Sequence, residues 1–268
     1  MIFNSLEEKC NYYRNLTDYR LMPNGYVLVM IDGKNFSTLI KNKFEKPFDG
    51  WFIKTMNDTA LHICKNIPNV VGAYVQSDEI SFLIKDNTRT ELPFDGRLCK
   101  LLSIIPAMAS SFFTKKIVER EVLGRMSMFV GDKAQESAVN LLNKLPEYMF
   151  DCKVWNVPDG NEAISWFLYR QIDCVRNSKQ QFCQTYMSHK ELMNKNTDEQ
   201  VKLCKQERGY DWNEITDDKK YGRFFYKDEV ELINEKGEPY TRRKWFVDSS
   251  DLTIAENRET LIKRWIEK

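Results

Sequence analysis

The chain has 268 residues, 42% hydrophobic and 29% charged, and a net charge of +1. That length suits one large domain or two small ones, and the balanced, apolar-rich composition excludes both a disordered polymer of single sign and a histone-like basic binder. The opening Met1-Ile2-Phe3-Asn4-Ser5-Leu6-Glu7-Glu8 has neither the basic nor the apolar stretch of a signal peptide. The longest clean apolar run, Tyr26 to Ile31, is too short for a bilayer, so a cytoplasmic protein with no membrane partner is expected. The 7 cysteines form no C-x-x-C pair, and the 2 histidines, His62 and His189, lie far apart. Zinc spacing is absent and Ser-His-Asp or Cys-His chemistry has few parts, which leaves carboxylates and cations as the groups for catalysis.

Pro23-Asn24-Gly25 is a turn signal before Tyr26-Val27-Leu28-Val29-Met30-Ile31, whose unbroken apolar character predicts a strand buried on both faces. From Asp49 to Lys65, apolar residues at helical spacing predict an amphipathic helix covering the sheet. Val70–Val75 and Ile80–Ile84 read as a hairpin with Asp78 near its tip. Leu98, Leu101, Leu102, Ile105, Ala109, Phe112 and Phe113 mark a second helix, with a kink expected at Pro106. A further amphipathic stretch covers 133–143, and Phe150–Val157 reads as a strand ended by Pro158-Asp159-Gly160. Asp159 and Glu162 then resemble a capping box for a helix to about Ser178. One stripe of that helix carries Trp166, Arg170, Asp173 and Asn177, and is the face expected to make contacts. Beyond Phe182 the chain turns polar, before a predicted hairpin of Arg223–Ile233 and Tyr240–Asp248 and a last helix from Ala255. The order β-α-β-β-α-(α)-β-α plus an extension predicts an α+β fold, a ferredoxin-like split-βαβ palm sheet. Residues 1–183 form the palm-like domain of this reading and 184–268 a C-terminal extension packed on it.

Asp32 ends the first strand before Gly33, and Asp78 tops the next hairpin. In a split-βαβ sheet these strand ends are neighbours, and two carboxylates with a glycine carbonyl offer the hard oxygens magnesium takes. Both positions equally suit ordinary turn chemistry. Arg97 and Lys100 share a helix face, and Lys46 follows Phe44-Glu45, so these cations are candidates for a triphosphate, or are a solvated surface. Asn177 is a candidate phosphate or ribose contact, or a helix cap. Lys219, Lys220, Arg223 and Lys227, interleaved with Tyr221, Phe224, Phe225 and Tyr226, have the cation and aromatic mixture that tracks nucleic acid. Neither G-x-G-x-x-G nor a P-loop motif occurs.

Three segments in order and spacing resemble the tRNA-His guanylyltransferase family. They are Tyr26-Val27-Leu28-Val29-Met30-Ile31-Asp32-Gly33-Lys34-Asn35-Phe36, Phe44-Glu45-Lys46-Pro47 with Met56-Asn57, and Ala73-Tyr74-Val75-Gln76-Ser77-Asp78-Glu79-Ile80-Ser81-Phe82. A looser match continues through Arg97-x-x-Lys100, Phe150-Asp151 and Tyr169-Arg170-Gln171-x-Asp173-Cys174. The resemblance implies a polymerase-like palm holding two Mg²⁺ ions on Asp32, the Gly33 carbonyl and Asp78, with Glu79 in support. It also implies nucleotide contacts from Lys34, Asn35, Phe36, Lys46, Ser77, Arg97, Lys100 and Asn177. The implied partners are tRNA and NTPs (GTP, ATP), the implied reaction is nucleotide addition at a tRNA 5′ end, and the implied assembly is a homotetramer.

Where eukaryotic members carry His-Ile-Asn-Asn-Leu-Tyr-Asn after Asp-Cys, this chain has Val175-Arg176-Asn177-Ser178-Lys179-Gln180-Gln181. An imidazole is replaced by a sequence with a fixed cation. The pattern is more similar to the guanylyltransferase-like branch, which rebuilds 5′-truncated tRNAs against a template, than to dedicated enzymes adding G at position −1. A nucleotide cyclase and a non-catalytic RNA-binding module are the competing readings of the same residues.

Overall fold

The computed structural model describes residues 2–39, 43–86, 91–128, 136, 139–140 and 147–267. The amphipathic stretch expected at 133–143 lies largely outside them. The strands are β1 (Tyr26–Gly33), β2 (Val70–Gln76), β3 (Glu79–Lys85), β4 (Phe150–Val157), β5 (Arg223–Ile233) and β6 (Pro239–Asp248). They form one antiparallel sheet in the order β4-β1-β3-β2-β5-β6. The first four strands have the split-βαβ order.

The principal helices are α1 (Leu6–Asn15), α2 (Gly50–Asn66), α3 (Leu98–Met128), α4 (Gly160–Tyr186), α5 (Thr197–Arg208) and α6 (Ala255–Ile262). Asp49 caps α2 through Phe52 N–H at 2.7 Å, and Asp159 caps α4 through the N–H groups of Asn161 and Glu162. These caps satisfy backbone donors that the helices leave unpaired.

Alternation along the strands assigns the two faces. Val27, Val29, Ile31, Val75 and Phe82 pack with Met56 and Ile63 of α2 and Ile105 and Phe113 of α3. Leu28, Tyr74 and Leu83 point the other way, against Ile164 and Phe167 of α4 and the terminal Trp265. Burial on both faces is why these strands are apolar without a break. Helix α3 runs through Pro106 as one element, and its stretch Leu98–Val122 is long and apolar enough to cross a membrane by length and composition. That is longer than the strand run singled out from sequence. Here its apolar side is spent on the sheet, through Leu101, Ile105, Ala109, Phe113 and Ile117.

The C-terminal segment is placed differently from the extension read in the sequence. β5 pairs with β2, Val75 opposite Arg223, so the last hairpin continues the palm sheet. Helix α4 spans the expected boundary at 183.

Candidate active site

Register brings the acidic residues together. Asp32, near the end of β1, lies between Glu79 on β3 and Asp151 on β4. Ser77 and Asp78 make the turn from β2 to β3, Ser77 with φ of 44°. Gly33 N–H donates to the Asp78 carbonyl at 3.2 Å, tying that turn to the end of β1. Beneath it the Phe36 ring plugs the core against Phe113, Tyr148 and Phe150. A Cβ on Gly33 would fall 2.5 Å from that ring, so the close approach requires glycine.

Burial, then the charges of Asp78, Glu79 and Asp151, push the Asp32 carboxyl up to about 6, against a hydrogen bond from Gly33. Burial raises Asp78 too, opposed by the Ser77 hydroxyl. Glu79 is matched: Arg170 Nε donates to Oε1 at 2.8 Å and Nη2 to Oε2, while Nη2 also reaches Asp173 Oδ2 at 3.1 Å. Among the described residues, neither Asp32 nor Asp78 is in an ion pair. No three His, Cys, Asp or Glu side chains among them form a metal cage. Two under-compensated carboxylates with a backbone carbonyl fit magnesium, which commonly takes one or two carboxylates and completes its shell with water and substrate phosphates.

A pocket of about 570 Å³ opens beside the pair. Asp32, Ser77 and Asp78 form its acidic end, Pro47, Phe48 and Phe52 an apolar wall, and Asn177, Gln181 and Gln184 an amide-bearing wall from α4. Lys219 and Arg223 also line it, as do the acids Glu45, Asp49, Glu79 and Asp218. Gln181 donates to the Pro47 carbonyl at 2.5 Å, closing α4 against that loop.

The candidate residues fall into three groups. Asp32, Ser77, Asp78, Glu79 and Asn177 line the pocket. Lys46 is exposed between the lining residues Glu45 and Pro47; Lys34 and Asn35 are exposed just beyond β1 and are not part of the lining, and the Phe36 ring is buried in the core. Arg97 and Lys100 are at the wrong end of the sheet. β3 leads away from the Asp78 turn, Lys85 pairs with Tyr26, and Leu21 N–H joins the Gly96 carbonyl, so α3 starts roughly 20 Å from Asp32 at ~3.3 Å per strand residue. Arg97 pairs there with Asp18 at 2.9 Å. Within one chain these two cations cannot share a triphosphate with the acidic pair.

Sequence reading missed Gln181, Gln184, Lys219 and Arg223 as pocket residues. The first two continue the Trp166-Arg170-Asp173-Asn177 stripe at helical spacing, a signal that was available. The second two belong to the stretch read as a nucleic-acid track, which the fold disperses. Phe224 and Phe225 are core, Lys220 reaches the Asn213 carbonyl, and Lys227 sits over Trp245.

A split-βαβ sheet carrying a carboxylate pair at adjoining strand ends, beside a nucleotide-sized pocket, defines a palm-type nucleotidyltransferase. The chain matches the tRNAHis guanylyltransferase family over residues 8–158 and belongs to it. A protein of Acanthamoeba polyphaga mimivirus is 26% identical over 235 residues, covering 84% of this chain and 77% of its own. The tRNA(His) guanylyltransferase of Debaryomyces hansenii is 29% identical over 159 residues, 59% of this chain and 53% of that enzyme. A bacterial tRNA(His) guanylyltransferase-like protein in complex with ATP superposes with a TM-score of 0.79 at 24% identity, over 98% of this chain and 100% of that one. The Saccharomyces cerevisiae tRNA(His) guanylyltransferase gives 0.61 at 25% identity, over 80% and 90%.

Proposed function

We propose that the protein extends the 5′ end of tRNA in the 3′-to-5′ direction, choosing each NTP against a template base, and so repairs 5′-truncated tRNAs. The observation that carries this reading is the unneutralised Asp32–Asp78 pair at the acidic end of the pocket. Two Mg²⁺ ions held by Asp32, Asp78 and the Gly33 carbonyl would supply activation of the attacking hydroxyl and neutralisation of the leaving pyrophosphate. Arg170 holds Glu79 beside the pair, and Ser77 and Asn177 of the pocket lining, with Lys46 between the lining residues Glu45 and Pro47, would contact the nucleotide. The relative bound to ATP, and a GTP complex of a bacterial guanylyltransferase-like protein with a TM-score of 0.73 at 24% identity, support NTPs as substrates.

Template dependence rests on the 175–181 segment. The family's His position falls on Val175, and the adjacent Arg176 is an exposed guanidinium paired with Asp173. No titratable imidazole stands there to serve a dedicated, non-templated G addition.

The test is an assay with labelled tRNAs lacking one or more 5′ nucleotides, varying the template base and the 5′ phosphorylation state. Extension only by the complementary NTP is expected. G addition to tRNA-His whatever the opposing base would show the dedicated enzyme instead. A cyclic product from NTP alone would show a cyclase. Mg²⁺-independent tRNA binding without any turnover would leave an RNA-binding module.

A further inference from the structure

Gly222 turns the chain into β5 with φ of 74°, and a Cβ there would lie 2.6 Å from the Tyr74 hydroxyl. The turn drops Arg223 opposite Val75, two residues before Ser77 on the neighbouring strand, with its side chain 5% exposed toward α2. Nε donates to Asn57 Oδ1 at 3.0 Å and Nη1 to the Asp218 carbonyl at 3.2 Å. Nη2 is buried without a partner.

Both acceptors are neutral groups, and the nearby Asp218 carboxylate favours the guanidinium's charge without forming an ion pair with it. Arg170, in the same pocket, is matched by Glu79 and Asp173, whereas no ion pair among the described residues involves Arg223 or Lys219. A guanidinium stays charged in proteins, and a buried charge without a directly paired counter-ion destabilises the fold that holds it. A residue in that state, lining a pocket with one fork nitrogen unused, suits an arriving anion, because arginine recognises phosphate through paired N–H donors.

We propose that Arg223, assisted by Lys219, is the site for the polyphosphate of the bound nucleotide, with Nη2 as the donor held free for a phosphate oxygen. Strand spacing places the Arg223 backbone about 11 Å from that of Asp78, from ~4.8 Å between strands and ~3.3 Å per residue along β2, so one nucleotide reaches both. This assignment rests on the nucleotide-binding reading above. It takes the role that Arg97 and Lys100 cannot fill within the chain.

The experiment compares wild type, Arg223→Met and Arg223→Lys with Mg²⁺ and no tRNA, so that nothing turns over. Melting is followed in the absence of nucleotide, and binding of GTP, inorganic tripolyphosphate and guanosine is measured by dialysis. Arg223→Met is expected to melt at or above the wild-type temperature, to bind GTP and tripolyphosphate at least tenfold more weakly, and to bind guanosine unchanged. A purely structural arginine would lower the melting temperature and weaken guanosine and GTP alike, which overturns the proposal, as does GTP affinity within twofold of wild type. If Arg223→Met does not fold, Arg223→Lys decides, because an ammonium cannot serve Asn57, Asp218 and a phosphate in the same fork: about a threefold or greater selective loss of GTP supports the site and unchanged affinity overturns it. Binding of 5′-monophosphorylated against dephosphorylated tRNA is the last arm. Loss of that discrimination with GTP binding intact would assign the guanidinium to the tRNA end and overturn the nucleotide assignment. Failure of the nucleotide-addition reading is separate, since it appears as wild type that binds tripolyphosphate through Arg223 yet extends no tRNA.

Discussion

Arg170 forks Glu79, Nε to one carboxylate oxygen at 2.8 Å and Nη2 to the other, at side-chain exposures of 13% and 9%. The fork takes one acid out of the cluster at the strand ends and leaves Asp32 and Asp78 as the pair whose charge is unmatched. Removing one partner of a buried pair strands the other, at a cost of about 3–5 kcal/mol. Arg170→Met is therefore expected to destabilise the protein by that amount in urea unfolding. Adding Glu79→Gln should restore more than half of it. If the double variant is no more stable than Arg170→Met, the pair does not work as a unit.

The shifted Asp32 carboxyl sets a pH dependence with a definite sign. Its folded value of about 6 exceeds the ordinary carboxyl value of 3.8, so the folded form binds this proton more tightly. The resulting contribution to stability is largest below pH 4, falls as pH rises from 4 to 6, and is a full penalty above 6. Two units correspond to roughly 3 kcal/mol, which partial solvent exposure reduces to about 1–2 kcal/mol. Asp32→Asn should thus be more stable than wild type at pH 7 in EDTA, with the gain gone near pH 4, while nucleotide addition is abolished. A loss of stability at pH 7 would contradict the electrostatic account. Protons also compete with the metal, so the Mg²⁺ concentration needed for half-maximal binding should rise as pH falls below 6, measurable by calorimetric titration.

Gly33→Ala tests the packing under the acidic pair. The added Cβ falls 2.5 Å from the Phe36 ring, itself 1% exposed and wedged among Phe113, Tyr148 and Phe150. Overpacking of this kind costs about 1–3 kcal/mol. In the Gly33→Ala background, Phe36→Leu should cost less than it does in wild type, because the smaller side chain yields the space. A denaturation double-mutant cycle showing simple additivity would mean the strand end relaxes without disturbing Phe36.

What was legible in the sequence was what short-range pattern controls. The continuous apolar run of β1 marks a strand buried on both faces, and the spacing from Asp32 to Asp78 across one helix and one hairpin places both at one end of the sheet. The stripe through Arg170 and Asn177 marked the face of α4 that becomes a pocket wall. Long-range pairing was the part left unread. Arg97 and Lys100 share a helix face, but which end of the sheet they occupy follows from the direction of β3, not from their spacing. Arg223 looks like one basic residue in an aromatic surface track until β5 pairs with β2 and turns it inward. The same pairing makes the predicted C-terminal extension a continuation of the palm sheet.

That continuation reaches to the end of the chain. Trp265 lies over Gly72 of β2, where a Cβ would fall 1.9 Å from its ring, and its Nε1–H donates to the Phe225 carbonyl at 3.2 Å. Its ring meets Phe167 of α4 edge-on at 4.8 Å between centroids. One side chain thereby fastens β2, β5 and α4, three elements that contribute walls to the pocket. Truncating a buried aromatic of this size costs about 3–5 kcal/mol, so Trp265→Ala should lower stability by that much and, by loosening β5 beside β2, weaken GTP binding as well. Arg223→Met affects GTP binding without that loss of stability, which separates the two effects in the same melting and dialysis measurements. If Trp265→Ala unfolds in a separate early transition while the remainder melts as in wild type, the C-terminal segment is an independent unit and not part of the palm.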